Sequence, residues 1–91
     1  MSEEPYRLIL APGTRRALTD LLPEAAAIAA WEFISGPLAL IPRRVGTPLR
    51  APFVGDWRAG RGEYRVRYEV DDATHTVRIF DIDHRRDAYR S

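Results

Sequence analysis

Apolar and polar residues alternate most cleanly in the last third of the chain. Tyr64, Val66, Tyr68 and Val70 interleave with Glu63, Arg65, Arg67 and Glu69. A period of two puts the first set on one face of a strand and the second set on the other. Asp71-Asp72-Ala73-Thr74 is turn-forming, and Thr76 to Ile82 is again rich in β-branched residues, so the two segments predict an antiparallel hairpin. Tyr6 to Leu10 and Phe53 to Arg58 read as two further strands. Between them the period changes. Ala17, Leu18, Leu21 and Leu22 lie at helical spacing, after a Pro12-Gly13 break with Thr14 as the expected N-cap. Pro23 closes that helix and suits the first turn of a second one, from Pro23 to Ser35, with Ile28, Trp31 and Ile34 as its apolar positions. Gly36-Pro37 is the expected stop, Leu38 to Pro52 reads mostly as loop, and His84 to Arg90 as a polar tail.

The order β-α-α-β-β-β predicts an α+β fold: a small, mainly antiparallel four-stranded sheet with an N-terminal two-helix hairpin packed on one face. The 91 residues make one domain, 1–91, with a thin core. The absence of cysteine excludes disulfide scaffolds, zinc ribbons, iron–sulfur clusters and thiol catalysis together. Met1 to Pro5 is acidic and polar, unlike a secretory signal, and the run from Ala25 to Trp31 is far short of a membrane span. A cytoplasmic location without a membrane partner is therefore expected.

The formal charge of +1 conceals an asymmetry. All 14 basic residues are arginine; residues 1–42 hold three of them against five acids, and residues 43–67 hold seven against two. Arg43, Arg44, Arg50, Arg58, Arg61, Arg65 and Arg67 make that second segment basic enough to suggest an anionic partner. Guanidinium suits planar, bidentate phosphate recognition.

In an antiparallel meander Arg58, Arg61 and His84-Arg85-Arg86 can converge on one rim and form a phosphate-sized pocket. Tyr89 follows closely. As a core or capping residue it is unremarkable; beside cations its phenol, with a reference pKa of about 10, is lowered toward phenolate and can take a proton from a ribose 2′-hydroxyl. Arginine cannot act as acid or base, so its task is stabilising a doubly charged phosphorane-like transition state. His84 is an alternative acid or base, and otherwise a surface histidine or phosphate donor. Asp81, Asp83 and His84 are the residue types of a divalent-ion site, but two aspartates beside Arg85 and Arg86 serve more simply as ion-pair partners. No Gly-rich phosphate loop or Ser-His-Asp pattern is present, and neither a metal nor a small-molecule cofactor is expected.

The segment Arg61 to Asp72, followed by His84-Arg85-Arg86-Asp87-Ala88-Tyr89-Arg90, resembles the RelE branch of the RelE/ParE toxin superfamily. Pro42 to Leu49 looks like that branch's loop before the second strand, and Tyr6 to Ser35 like its first strand and helical hairpin. The resemblance implies an mRNA interferase that enters the ribosomal A site. There it cuts mRNA without metal, using the 2′-hydroxyl as nucleophile. It also implies a cognate antitoxin, RelB-like or similar. By position Arg65 matches the family's arginine in the Gly-x-Tyr-Arg motif. Arg85 matches the arginine of the C-terminal basic motif, with Arg86 as the one-residue alternative. Tyr89 matches the tyrosine often assigned as base, and Arg58 a basic position of the second strand. Arg43, Arg44, Arg50, Arg61 and Arg86 are the expected RNA contacts. The chain departs from the pattern at Asp56, where some members carry a basic residue, at Gly60, often arginine, and at Thr47, where lysine is common, and it has no lysine to donate a proton. The other branch of the superfamily, ParE-like inhibitors of DNA gyrase, shares the fold and cuts nothing. The short hairpin broken at Pro23, and Tyr89, favour the RelE branch.

Overall fold

A computed structural model describes residues 4–62 and 64–84 of the chain. Strand β1 (Arg7–Leu10) leads into helix α1 (Pro12–Arg16), which continues through a wide π-type turn at Ala17–Leu21. Helix α2 (Glu24–Phe33) continues likewise at Ile34–Leu38, and a short α3 (Pro42–Val45) precedes β2 (Thr47–Pro48), β3 (Trp57–Arg61), β4 (Tyr64–Asp71) and β5 (Thr76–His84). The five strands form one sheet in the order β1-β5-β4-β3-β2. Strand β1 runs parallel to β5, and every other neighbouring pair is antiparallel. The helices thus carry the chain across one face of the sheet, and the meander β2 to β5 brings it back beside β1.

The α+β class and the helical layer are as expected, and several details differ. The sheet has five strands rather than four, because Thr47 and Pro48 pair with Arg58 and Trp57. An outer edge is where a proline without an N–H is tolerated in a sheet. Phe53 to Asp56 is not strand: the Phe53 and Asp56 amides donate to Arg50 and Phe53 carbonyls, curling the segment, and β3 begins at Trp57. Thr14 does not cap α1. It is buried within the helix, and its hydroxyl donates to the Ile79 carbonyl at 3.1 Å, which also accepts the Ala11 amide at 3.0 Å. These two bonds pin the start of α1 to β5. Finally, Gly36-Pro37 does not stop the second helix. Pro37 lacks the amide that an α-turn needs, and the widened turn absorbs it by pairing the Ala39 amide with the Ile34 carbonyl.

The core lies between the helices and one sheet face. Val66, Tyr68, Val77 and Ile79 are fully buried beneath Ala30, Ile34 and Leu38. The helix face that packs is therefore the one carrying Ala30, Phe33 and Ile34, whereas Leu21, Ile28 and Trp31, expected as core, are exposed. A bulge explains why β5 alternates poorly: Arg67 faces Asp81 but Tyr68 faces Ile79, so Phe80 is an extra residue. That single insertion lets both Ile79 and Ile82 face the helices. Two tyrosines tie the layers together. Tyr64 donates to the Ala29 carbonyl at 3.1 Å, and Tyr68 to the Pro42 carbonyl at 2.6 Å. Burial pushes the Tyr68 phenol up to about 12. Gly46 makes this fit possible, because a Cβ there would fall on the Tyr68 hydroxyl and 3.1 Å from the Arg58 carbonyl.

Two measurements check this packing. Gly46→Ala is expected to lower the urea-unfolding free energy by about 1–3 kcal/mol through overpacking. The neutral, buried Tyr68 stabilises the fold below its unfolded pKa near 10, and this contribution is lost as pH rises toward about 12. Tyr68→Phe is expected to start about 1 kcal/mol less stable, from the lost hydrogen bond, and to show a shallower alkaline decline.

Candidate functional site

The alternation that buries Tyr64, Val66 and Tyr68 sends Arg65 and Arg67 to the face without helices. Register extends this into two rungs. Arg58 of β3, Arg67 of β4 and Asp81 of β5 are successive partners; so are Gly60, Arg65 and Asp83. Ala59 and Val66, between the rungs, are buried on the other face.

In the first rung Arg67 is committed to its neighbours. Its Nε and Nη2 donate to Asp81 Oδ2 at 3.1 and 2.9 Å, and its Nη1 to Asp56 Oδ2 at 2.7 Å. The rings of Phe53 and Phe80 lie 5.2 and 4.9 Å from its guanidinium carbon. Burial works against its charge, and the hydrogen bonds of Asp81 and Asp56 outweigh that, raising its pKa above the ordinary value. Asp56 belongs to the segment that curls between β2 and β3, so the bridge also latches that loop to the sheet.

Arg58 and Arg65 are different. Both are exposed, and among the described residues neither has an ion-pair partner. Gly60 faces Arg65, and a Cβ there would stand 3.2 Å from Arg65 Cγ. The missing side chain leaves room for the arginine stem against β3.

The remaining expected residues are distributed unevenly. Arg61 ends β3 as the register partner of Tyr64. Arg44 and Arg50 are exposed. Arg43 is paired with Asp72 at 2.9 Å, together with Tyr6, whose hydroxyl donates to the same carboxylate at 2.7 Å. The Arg43 and Tyr6 hydrogen bonds hold the Asp72 carboxyl below the usual range. Asp72 lies seven residues beyond Arg65, roughly 23 Å along an extended strand, so Arg43 is not part of the open-face cluster. His84 is not a surface histidine: it is buried, opposite Tyr64 on the helix-covered face. Arg85, Arg86 and Tyr89 lie outside the described residues. Asp81 serves as an ion-pair partner of Arg67. Among the described residues no group of three His, Asp or Glu side chains could hold a metal ion.

Sequence reasoning missed the Arg67 cluster. Asp56 stood out only as a departure from a basic position, and Phe53 only as the start of a strand. Their convergence depends on a curled loop and a bulge, and neither is visible in a period of two.

Known proteins share this small two-layer fold. Residues 14–89 match the family of the ParE toxin of type II toxin–antitoxin system, parDE. Toxin RelG of Mycobacterium tuberculosis (strain ATCC 25618 / H37Rv) is 44% identical over 86 residues, 94% of this chain and 98% of that protein. Toxin RelE of the same organism is 43% identical over 90 residues, 97% of this chain and 90% of that protein. The toxin–antitoxin complex RelBE2 from Mycobacterium tuberculosis contains a chain of like fold, with a TM-score of 0.84 and 41% identity, covering 90% of this chain and all of that one. This chain belongs to the RelE/ParE superfamily and is a RelE-type toxin of a type II toxin–antitoxin system.

The latch can be measured. A double-mutant cycle of Arg67→Met with Asp56→Asn is expected to give a coupling of about 1 kcal/mol, at the upper end of exposed ion pairs, because both partners are partly buried. Additive losses would show that the bridge holds nothing.

Proposed function

We propose that this toxin is a ribosome-dependent mRNA endonuclease, held in check by a cognate antitoxin. The observation that carries the proposal is the pair of exposed guanidiniums, Arg58 and Arg65, on a sheet face that no helix covers. One strand spacing and two residues separate them, roughly 8 Å between backbones, and two such side chains can grip one phosphate. Arg67, with both its carboxylates, is not available for that task.

The proposed chemistry is phosphoryl transfer within RNA. The Tyr89 phenolate takes the proton of the 2′-hydroxyl. The 2′-oxygen attacks phosphorus, the bond to the 5′-oxygen breaks, and the departing oxygen takes a proton from water. The products are a 2′,3′-cyclic phosphate and a 5′-hydroxyl. Arg58, Arg65 and Arg85 stabilise the charge that builds on the phosphate oxygens. Arg85 follows His84 by one peptide, so its Cα is about 3.8 Å from that of the last residue of β5. Tyr89 is five residues from His84, within a chain reach of roughly 18 Å. Arg44, Arg50, Arg61 and Arg86 contact flanking phosphates. The burial of His84 favours Tyr89 over it as the base. The chemistry as proposed uses no metal.

The ribosome enters as the agent that orients the strand. Without a lysine as proton donor, positioning has to supply much of the acceleration, and it can supply roughly 7–11 kcal/mol. The similar RelBE2 chain was solved with its antitoxin, which supports an antitoxin partner here. An acidic, amphipathic segment that folds on binding fits the exposed arginines and the exposed apolar helix residues Ile28 and Trp31. A cytoplasmic site of action follows from the ribosome.

Arg65→Ala and Tyr89→Phe are each expected to relieve growth arrest on expression while leaving the thermal midpoint unchanged within a few degrees. Full toxicity of both variants would overturn the assignment. Mapped mRNA 5′-ends are expected at positions within translated codons, and cleavage is expected to persist at chelator concentrations that leave ribosomes intact. A DNA-damage response with unchanged 5′-ends would instead identify a gyrase inhibitor.

A further inference from the structure

The Arg67 cluster presents an aromatic ring to solvent beside the phosphate-binding arginines. Phe53 is 49% exposed, yet its ring is held 5.2 Å from a guanidinium fixed by two carboxylates. The in-plane N–H groups of Arg67 are used on Asp56 and Asp81, and its flat faces are left for rings. Phe80, at 4.9 Å, is partly buried, so Phe53 is the more open of the two.

Charge decides what such a surface accepts. Arg67 carries one positive charge against two negative ones, so the spot does not attract a phosphate. Arg58 is its direct partner across β3 and β4 and remains exposed. A strand whose phosphate sits on Arg58 and Arg65 therefore has a flat, apolar ring, set against a net-negative cluster that repels phosphate, one side chain away. The group of a nucleotide that is neutral, flat and weakly hydrated on its faces is the base. We propose that Phe53, braced by Arg67, is a stacking platform for one unstacked base of the bound RNA, and thereby influences which base stands next to the cut. Stacking is stronger for larger π-surfaces, so the platform favours a purine. The inference rests on the reading of this chain as an RNA nuclease.

The test uses the full-length toxin with ribosomes translating a defined mRNA, and reads both the cleavage rate and the base distribution around mapped 5′-ends. Loss of one base–aromatic stack is expected to slow cleavage about 5- to 160-fold. Phe53→Leu, which keeps an apolar side chain in the loop, is expected to show that loss and a weakened purine bias at one fixed position. Phe53→Trp is expected to restore both, and the thermal midpoints of the two variants should stay within a few degrees of the parent. If Phe53→Leu cleaves at the parental rate and bases, the platform is overturned while parental cleavage keeps the nuclease reading intact. If Phe53→Leu is slow and Phe53→Trp does not restore it, the ring only packs the loop and the platform is likewise overturned. An antitoxin-binding defect with normal cleavage would make Phe53 a protein contact and overturn it too. A parental toxin that does not cut at all removes the nuclease reading, and the platform with it.

Discussion

Strand β4 has to satisfy two environments at once. Its odd-numbered arginines and even-numbered apolar residues are inseparable, since a one-residue slip would bury Arg65 and Arg67 and expose Tyr64, Val66 and Tyr68. Burying an unpaired guanidinium costs far more than any rearrangement of the surface recovers. The register of β4 is thus held by the core on one face, and Arg65 and Arg67 are positioned on the other as a consequence. The helical layer is tied to this strand by its two tyrosine bonds.

Having three arginines and three aspartates within two rungs and a neighbouring loop sounds self-cancelling. The pairing is not symmetric. Asp56 and Asp81 both go to Arg67, leaving Arg58 and Arg65 exposed. One arginine is committed to structure, holding a loop whose aspartate stood out in the sequence as a departure from the RelE-like pattern. A departure from the family pattern at position 56 is thereby explained as half of an ion pair whose other half lies on β4. Gly60 is a second departure with a steric counterpart, because it makes room for the stem of Arg65.

The sheet also separates charges that look alike in the chain. Arg43 and Arg65 belong to the same basic segment, but α3 carries Arg43 to Asp72 and Tyr6 at the far end of β4. There it joins the N-terminal segment to the β4–β5 turn, where His75 takes a left-handed conformation and stacks on Tyr6 at 3.9 Å. A residue in that conformation costs about 1–2 kcal/mol, and the ring contact offsets part of it. Basic residues therefore divide into those that hold the fold and those that face solvent, and chain position does not say which.

Periodicity by itself determined the two faces of β4, the β4–β5 hairpin, the helical segment and the α+β class, because each depends on residues within a few positions of one another. The resemblance in the Arg61–Asp72 and His84–Arg90 segments likewise placed the chain in its superfamily. What only the tertiary structure decided depends on distant partners. The edge strand at Thr47 and Pro48 exists because β3 is there to pair with it. Thr14 is an anchor rather than a cap because the Ile79 carbonyl lies within reach. His84 is buried because the bulge at Phe80 sets which way the end of β5 faces. Arg67 is withdrawn from the free arginines because a curled loop and a neighbouring strand deliver two carboxylates to it. Local pattern reports which way a side chain points; the identity of what it meets there is a property of the folded chain.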